Sequence, residues 1–229
     1  MSGDASSKTD IFTPIEIDTI GEIMNISMGS AATAASTLLD NKVTITTPIV
    51  SIVPVDEFEI AQMQPAIAVD IQYVEGISGS NILILRKEDV RTILSQMMMT
   101  EIPADFEVDE MAESAICELM NQMMGSSATV LSCFLGRTIN ISTPNTVPIN
   151  QLEEFKAQHF GGQPHLVTIE FTLSIKDLME SQFISVMKVD LAKEIIDVSL
   201  NFDANAEEEA VAPPPPPAAA PPAPPSMPE

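Results

Sequence analysis

The chain repeats itself once. Residues 18–48 and 114–144, at a fixed offset of 96, are identical at fourteen of thirty-one positions. The matches include Glu22/Glu118, Met24/Met120, Asn25/Asn121, Met28/Met124, Gly29/Gly125, Ser30/Ser126, Ala32/Ala128, Thr33/Thr129, Ser36/Ser132, Thr47/Thr143 and Pro48/Pro144. Two copies at so long a period mark a duplication, not a solenoid. A weaker similarity follows, aligning the segment Ser80–Val90 with Ser181–Leu191. Each half therefore reads as a long helix, strands and a short helix.

Local signals agree. Thr13-Pro14-Ile15-Glu16 is a capping box with proline at the first helical position. Apolar or small residues recur at Ile20, Ile23, Met24, Ser27, Ala31, Ala34, Ala35 and Leu38, the helical period. Asp40-Asn41 closes that helix. The second long helix is expected over Asp109–Leu135, with Gly136 as its stop. Strand patterns appear at Val43–Thr47, Ile67–Val74, Asn81–Leu85, Ile139–Thr143, Leu166–Ser174 and Phe183–Lys188. Lys87–Met99 and Asp190–Leu200 read as short helices. The expected class is α+β: a pseudo-twofold duplicated unit, with a mixed or antiparallel sheet and two long helices on one face.

Composition divides the chain. Residues 1–11 are expected to be a flexible N-terminus, and 12–203 one domain with halves at about 12–102 and 103–203. Residues 204–229 hold most of the 18 prolines and read as a disordered linker or tail. Hydrophobic residues are 45% of the chain, with 14 Met, one Tyr and no Trp, so the core must be aliphatic and Met-rich.

Charge and rare residues exclude several functions. Against 33 Asp and Glu stand 10 Lys and Arg, a net charge of −23. Such a chain does not neutralise phosphate backbones, so no nucleic-acid partner is expected. An anionic membrane would repel it, and no run of about 18 apolar residues suggests membrane insertion. Met1–Asp10 lacks an apolar signal region, which makes the cytoplasm the default compartment. Two Cys and two His make a zinc site improbable. Cys117 and Cys133 lie in an apolar helical pattern and read as buried thiols. His159 and His165 lie near Gly161, Gly162 and Pro164 and read as solvated loop residues.

The polar residues of the long helices point further. Asp18, Glu22, Asn25 and Gly29 share one helical face, and Ser114, Glu118, Asn121 and Gly125 repeat it. An interior Asn competes with the helix backbone, so two at equivalent places need a reason. A carboxylate can pair with a partner's lysine. A carboxamide three residues on can hold a water by donating and accepting, but is too weak a base to take its proton. That combination suits phosphoryl hydrolysis, where positioning dominates. No Lys or Arg and no metal-binding cluster accompanies the motif, so cation and metal must come from the substrate protein. The Gly-Ser-Ala and Gly-Ser-Ser steps at 29–31 and 125–127 are expected to let the two helices approach closely.

Asp or Ser, three residues, Glu, two residues, Asn, 22 residues, Pro occurs twice, as Asp18/Glu22/Asn25/Pro48 and Ser114/Glu118/Asn121/Pro144. This resembles the signature of the CheC/CheX/FliY family of response-regulator phosphatases. The strings IGEIMNISMGSAATAASTLL, VTITTP, YVEGISGSN and MNQMMGSSAT look most like the phosphatase domain of its flagellar motor switch members. The resemblance covers about residues 12–202 and implies a chemotaxis hydrolase acting on phosphorylated CheY. It implies Glu22 and Glu118 docking on a CheY lysine and Asn25 and Asn121 orienting the water as the catalytic set. Asp18 and Ser114 would be partner-binding residues. No metal is expected in this chain, Mg²⁺ being supplied by CheY. The cytoplasmic face of the flagellar basal body is the implied place of action, with switch proteins or the deamidase CheD as further partners. The alternatives are a non-catalytic CheY-binding switch component, or a CheC-type protein acting with CheD. Many flagellar members begin with a CheY-binding peptide and end in a FliN-like domain. Met1–Phe12 does not match the first, and the proline-rich segment stands where the second would be joined.

Overall fold

The computed structural model describes residues 11–149 and 151–211. Residues 1–10 of the expected N-terminal segment, and 212–229 of the expected tail, lie outside them.

The first long helix, α1 (Pro14–Leu39), begins at the capping box. The Glu16 amide donates to Thr13 Oγ1 at 3.3 Å, and the Thr13 amide donates to the Glu16 carboxylate at 2.6 Å. Its end is closed by Asp40 in the left-handed region. Its counterpart α3 (Glu110–Leu135) is capped by Asp109, which accepts from the Ala112 amide at 2.8 Å, and stops at Gly136 with φ 61°. The same serine then clips each helix to the strand that follows. Ser36 Oγ donates to Ala32 O at 2.7 Å and accepts from the Val43 amide at 2.9 Å. Ser132 Oγ donates to Ala128 O at 2.8 Å and accepts from the Ile139 amide at 2.9 Å. Duplication has thus preserved a device as well as a pattern.

The strands are β1 (Val43–Pro54), β2 (Ala66–Glu75), β3 (Gly79–Arg86), β4 (Asn140–Ile141), β5 (Asn145–Val147), β6 (His165–Ile175) and β7 (Met179–Lys188). They form one sheet in the order β1-β6-β7-β3-β2-β4, with β5 also on β2. Every pairing is antiparallel. The central pair, β3 with β7, joins equivalent strands of the two halves. Each half then sends its outer strand across: β1 pairs with β6, and β4 and β5 pair with β2. The halves are interlaced. Pro48 lies where the β1 register slips between Thr46 and Ile49. Pro144 lies between β4 and β5. Pro48 thus sits in an outer strand and Pro144 between two of them, where a missing N–H costs no ladder bond.

Helices α1 and α3 lie together on one face of the sheet, flanked by α2 (Lys87–Met98) and α5 (Val189–Val211). They bury Ile20, Met24, Met28, Met120, Met124 and Leu131 against Ile71, Leu83, Ile169 and Phe171. Phe171 stacks on Phe183 with centroids 5.2 Å apart. The buried seam of α1 ends at Leu39, while Leu38 is exposed, correcting the expected register by one residue. The helices touch at Ser30 and Ser126, whose hydroxyls are 2.6 Å apart, and Ser126 Oγ donates to Ser30 O at 3.2 Å. These are equivalent residues, so the contact lies on the pseudo-twofold axis. The neighbouring glycines are not the contact: a Cβ added to Gly29 or Gly125 would meet nothing within 4 Å. The serines, not the glycines, set the helix approach.

The other sheet face is covered too. Helix α4 (Leu152–Phe160) and two 3-10 turns (Val55–Glu57, Ala61–Met63) pack Phe58, Ile60, Phe155 and Phe160 onto Ile82, Ile84, Leu166 and Val186. His159 belongs to α4, with its ring 4.9 Å from that of Phe155, and His165 opens β6. The loop reading of both histidines is corrected: the apolar Phe155 and Phe160 hold the segment down despite the Gly-Gly turn after it. Cys117 is half-buried but Cys133 is exposed, because it falls between the buried Leu131 and Leu135 on the opposite side of α3.

Candidate functional site

Helix α1 and the edge strand β1 enclose a shallow groove. It is lined by Ile17, Asp18, Gly21, Glu22, Asn25, Thr46, Pro48 and Val50. All four motif residues of the first copy, 30 positions apart in sequence, therefore meet at one place. The helix contributes Asp18, Glu22 and Asn25 at successive turns of its outer face. The strand contributes Pro48 through the register slip that brings it toward the helix. Asp18 and Glu22 are exposed and Asn25 is half-buried. Asn25 is part of the groove lining, and among the described residues Glu22 makes no hydrogen bond or ion pair. The spacing places Glu22 and Asn25 one turn apart on the same surface.

The second copy has the same plan. Ser114, Glu118 and Asn121 are exposed on α3, and Pro144 is buried between β4 and β5. The Gln122 side-chain amide donates to Glu118 at 2.8 Å, a tie that Ile26 cannot make to Glu22. The Thr146 hydroxyl donates to the Glu113 carboxylate, joining β5 to α3. Cys117 lies under the same strand. Burial pushes its thiol above the ordinary range, although the backbone N–H of Thr146 favours the thiolate. A neutral, half-buried thiol there is a space filler, not a nucleophile.

These arrangements offer two carboxylate–carboxamide pairs, fully exposed in the second copy and with a half-buried Asn25 in the first, on a negatively charged chain. Chemically, each can attract a cation and position a water. Neither provides a nucleophile, a strong base or a lysine. Among the described residues, no three His, Cys, Asp or Glu side chains gather as a metal-binding group. No described helix is long and apolar enough to cross a membrane. The groove residues Ile17, Gly21, Thr46 and Val50 carry no motif and were not singled out from sequence. The alternation of Val43–Thr47 pointed to a strand, but not to its continuation through Val50 or its position beside α1.

Comparison with known proteins gives a consistent picture. The CheC-like family matches residues 15–52 and 111–147, the two motif segments. The flagellar motor switch phosphatase FliY of Bacillus subtilis (strain 168) is 37% identical over 203 residues, 88% of this chain and 54% of that protein. The chain thus spans about half the length of that curated relative. The crystal structure of Thermotoga maritima FliY superimposes with a TM-score of 0.73 at 37% identity, covering 83% of this chain and 98% of that one. The FliM middle domain from H. pylori shares the fold, with a TM-score of 0.62 at 11% identity over 82% of this chain and 99% of that one.

Proposed function

The chain belongs to the CheC-like family, and from that premise we propose that it hydrolyses the aspartyl phosphate of the response regulator CheY. One observation carries the proposal: four motif residues from two elements converge on a solvent-facing groove, and the helical part of that set is presented a second time on α3.

The division of labour follows from the residue types. Glu22 and Glu118 are exposed carboxylate side chains, so each can pair with a lysine of the docked regulator. Asp18 adds a second negative charge to the first docking face, and Ser114 a hydroxyl to the second. Asn25 and Asn121 enter the phosphorylated site. There the amide Oδ1 accepts a hydrogen from water and Nδ2 donates to an oxygen, holding the water in line with phosphorus. The water oxygen bonds to phosphorus, and the bond from phosphorus to the aspartyl oxygen breaks. The aspartate is released as carboxylate, and the water's proton passes to the phosphate. Mg²⁺ belongs to CheY in this reading and neutralises the phosphoryl oxygens. The setting is chemotaxis at the flagellar switch.

The test uses the full chain and CheY phosphorylated with a small-molecule donor in Mg²⁺. Release of inorganic phosphate is measured with wild type and with Asn25→Ala/Asn121→Ala. The double variant is expected to lose about a hundredfold in acceleration, the scale of a lost positioning contact, while its melting curve is unchanged. A double variant that hydrolyses phospho-CheY at the wild-type rate would end the water-orienting reading.

A further inference from the structure

The two copies keep their rim and exchange their floor. The rim is the motif: Asp18, Glu22, Asn25 and Pro48 in one, Ser114, Glu118, Asn121 and Pro144 in the other. Beneath it, at the same offset of 96, Ile17 becomes Glu113, Gly21 becomes Cys117 and Val50 becomes Thr146.

In the first copy these three positions line open space. A Cβ added to Gly21 would stand 3.5 Å from Val50 Cγ2, so any side chain there would occupy the groove floor. In the second copy the same positions are joined to one another. The Thr146 hydroxyl donates to Glu113, and the Cys117 sulfur rests against the Thr146 backbone N–H. The docking carboxylate differs as well: Glu118 is held by Gln122 at 2.8 Å, whereas position 26 is an isoleucine.

We infer that the first copy is the principal site, because its floor of Ile17, Gly21 and Val50 receives an apolar side chain of docked phospho-CheY while the second copy's floor is filled by its own residues. This rests on the function proposed above. The floor is continuous with Asp18, Glu22 and Asn25, so a partner that presents its phosphate to Asn25 also covers the floor. Ile17, Gly21 and Val50 carry no charge and no side-chain hydrogen-bonding group, and the one further non-motif lining residue, Thr46, is exposed, so these three select an aliphatic or aromatic group as their occupant. The acidic rim takes the partner's cation. The difference between copies lies in affinity, since both retain Glu and Asn. Filling an apolar pocket by one small group is worth about tenfold in discrimination.

Single-site full-length variants separate the copies. Asn121→Ala leaves the first site, and Asn25→Ala leaves the second. With phospho-CheY as substrate, each single variant is expected to lose the turnover of its own copy, about half of the wild-type kcat, while KM stays at the wild-type value in Asn121→Ala and rises about tenfold in Asn25→Ala. Gly21→Cys in the Asn121→Ala background then raises KM about tenfold at constant kcat. Glu113→Ile/Cys117→Gly in the Asn25→Ala background lowers KM toward that of the first site. The two floor changes act in opposite directions, so a folding defect, checked by melting, cannot imitate both. Equal KM values for the two single variants, or a lower KM for Asn25→Ala, would overturn the inference alone. An active Asn25→Ala/Asn121→Ala protein would instead overturn the function beneath it.

Discussion

Replacing Gly29 and Gly125 together by alanine should stabilise the protein. Both lie in the middle of 26-residue helices. A glycine there is about 0.8–1.0 kcal/mol less favourable than alanine, because it gives the unfolded chain more freedom to lose. The gain is realised only if the added methyl fits, and at both positions it would meet no atom within 4 Å. Each glycine carbonyl accepts a hydroxyl four residues on, from Thr33 at 3.1 Å and from Thr129 at 3.0 Å. Those bonds tolerate a Cβ, since Ser36 makes the same bond to Ala32 at 2.7 Å and Ser132 to Ala128 at 2.8 Å. The Ser30–Ser126 contact is left in place. The two substitutions sum to about 2 kcal/mol, and for a domain of this size that raises Tm by about 4–8 °C. The assay is thermal unfolding followed by far-UV circular dichroism, with urea titration to check that the m-value is constant. A double variant that melts at or below the wild-type temperature would refute the reasoning. It would mean that the helices need a bend or a freedom at 29 and 125 that open space does not reveal.

Two predictions concern pH. The Glu16 carboxyl is held below its ordinary value of 4.5, first by the Thr13 backbone N–H and then by the Thr13 hydroxyl. A lowered carboxylate pKa stabilises the fold above the unfolded value and loses that contribution as pH falls through the folded one. Glu16→Gln should therefore melt below wild type at pH 7, and the gap should narrow as the buffer is taken below about pH 4. A gap that is the same at pH 3 and pH 7 would remove the charge from the explanation. Tyr73 is the chain's one tyrosine and is buried, and burial pushes its hydroxyl up to about 12, with the Asn81 side chain opposing. The raised value makes its contribution complete below the unfolded pKa near 10 and lost as pH rises toward 12. Tyrosinate absorbance, unobscured by tryptophan, should thus appear only together with alkaline unfolding. Ionisation near pH 10 with circular dichroism intact would show the ring to be accessible.

The parts of the molecule legible in the sequence were those encoded locally. Thr13 and Glu16, Asp109 and Gly136 mark helix ends by bonds that span three or four residues, so their chemistry is readable without a neighbour. The seam of α1 is legible from its period over most of its length and ambiguous only at its end, because Leu38 and Leu39 are both apolar and only the packing against the sheet distinguishes them. The rim of each groove could be read because Asp18, Glu22 and Asn25, like Ser114, Glu118 and Asn121, are set by helical spacing. The floor could not. Val50 meets Gly21 across two elements, and nothing local to either residue records the contact. Helix α4 was hidden for a similar reason. Its nine residues carry a weak period, and the need for it arises from strands such as β6, whose Leu166–Ile169 run is buried on both faces. Alternation identifies a strand but not its neighbour, so the pairing of β1 with β6, some 120 residues on, was beyond reach.

That crossed pairing has an outcome for how such a protein can change. Cut between α2 and α3, the polypeptide would give two pieces, each holding a border strand whose only mate among the described residues is on the other piece. Neither could close its own sheet, so a version with a single groove is not obtained by shortening the gene. It has to be made in place, side chain by side chain, while the silent copy stays on as scaffold for the working one.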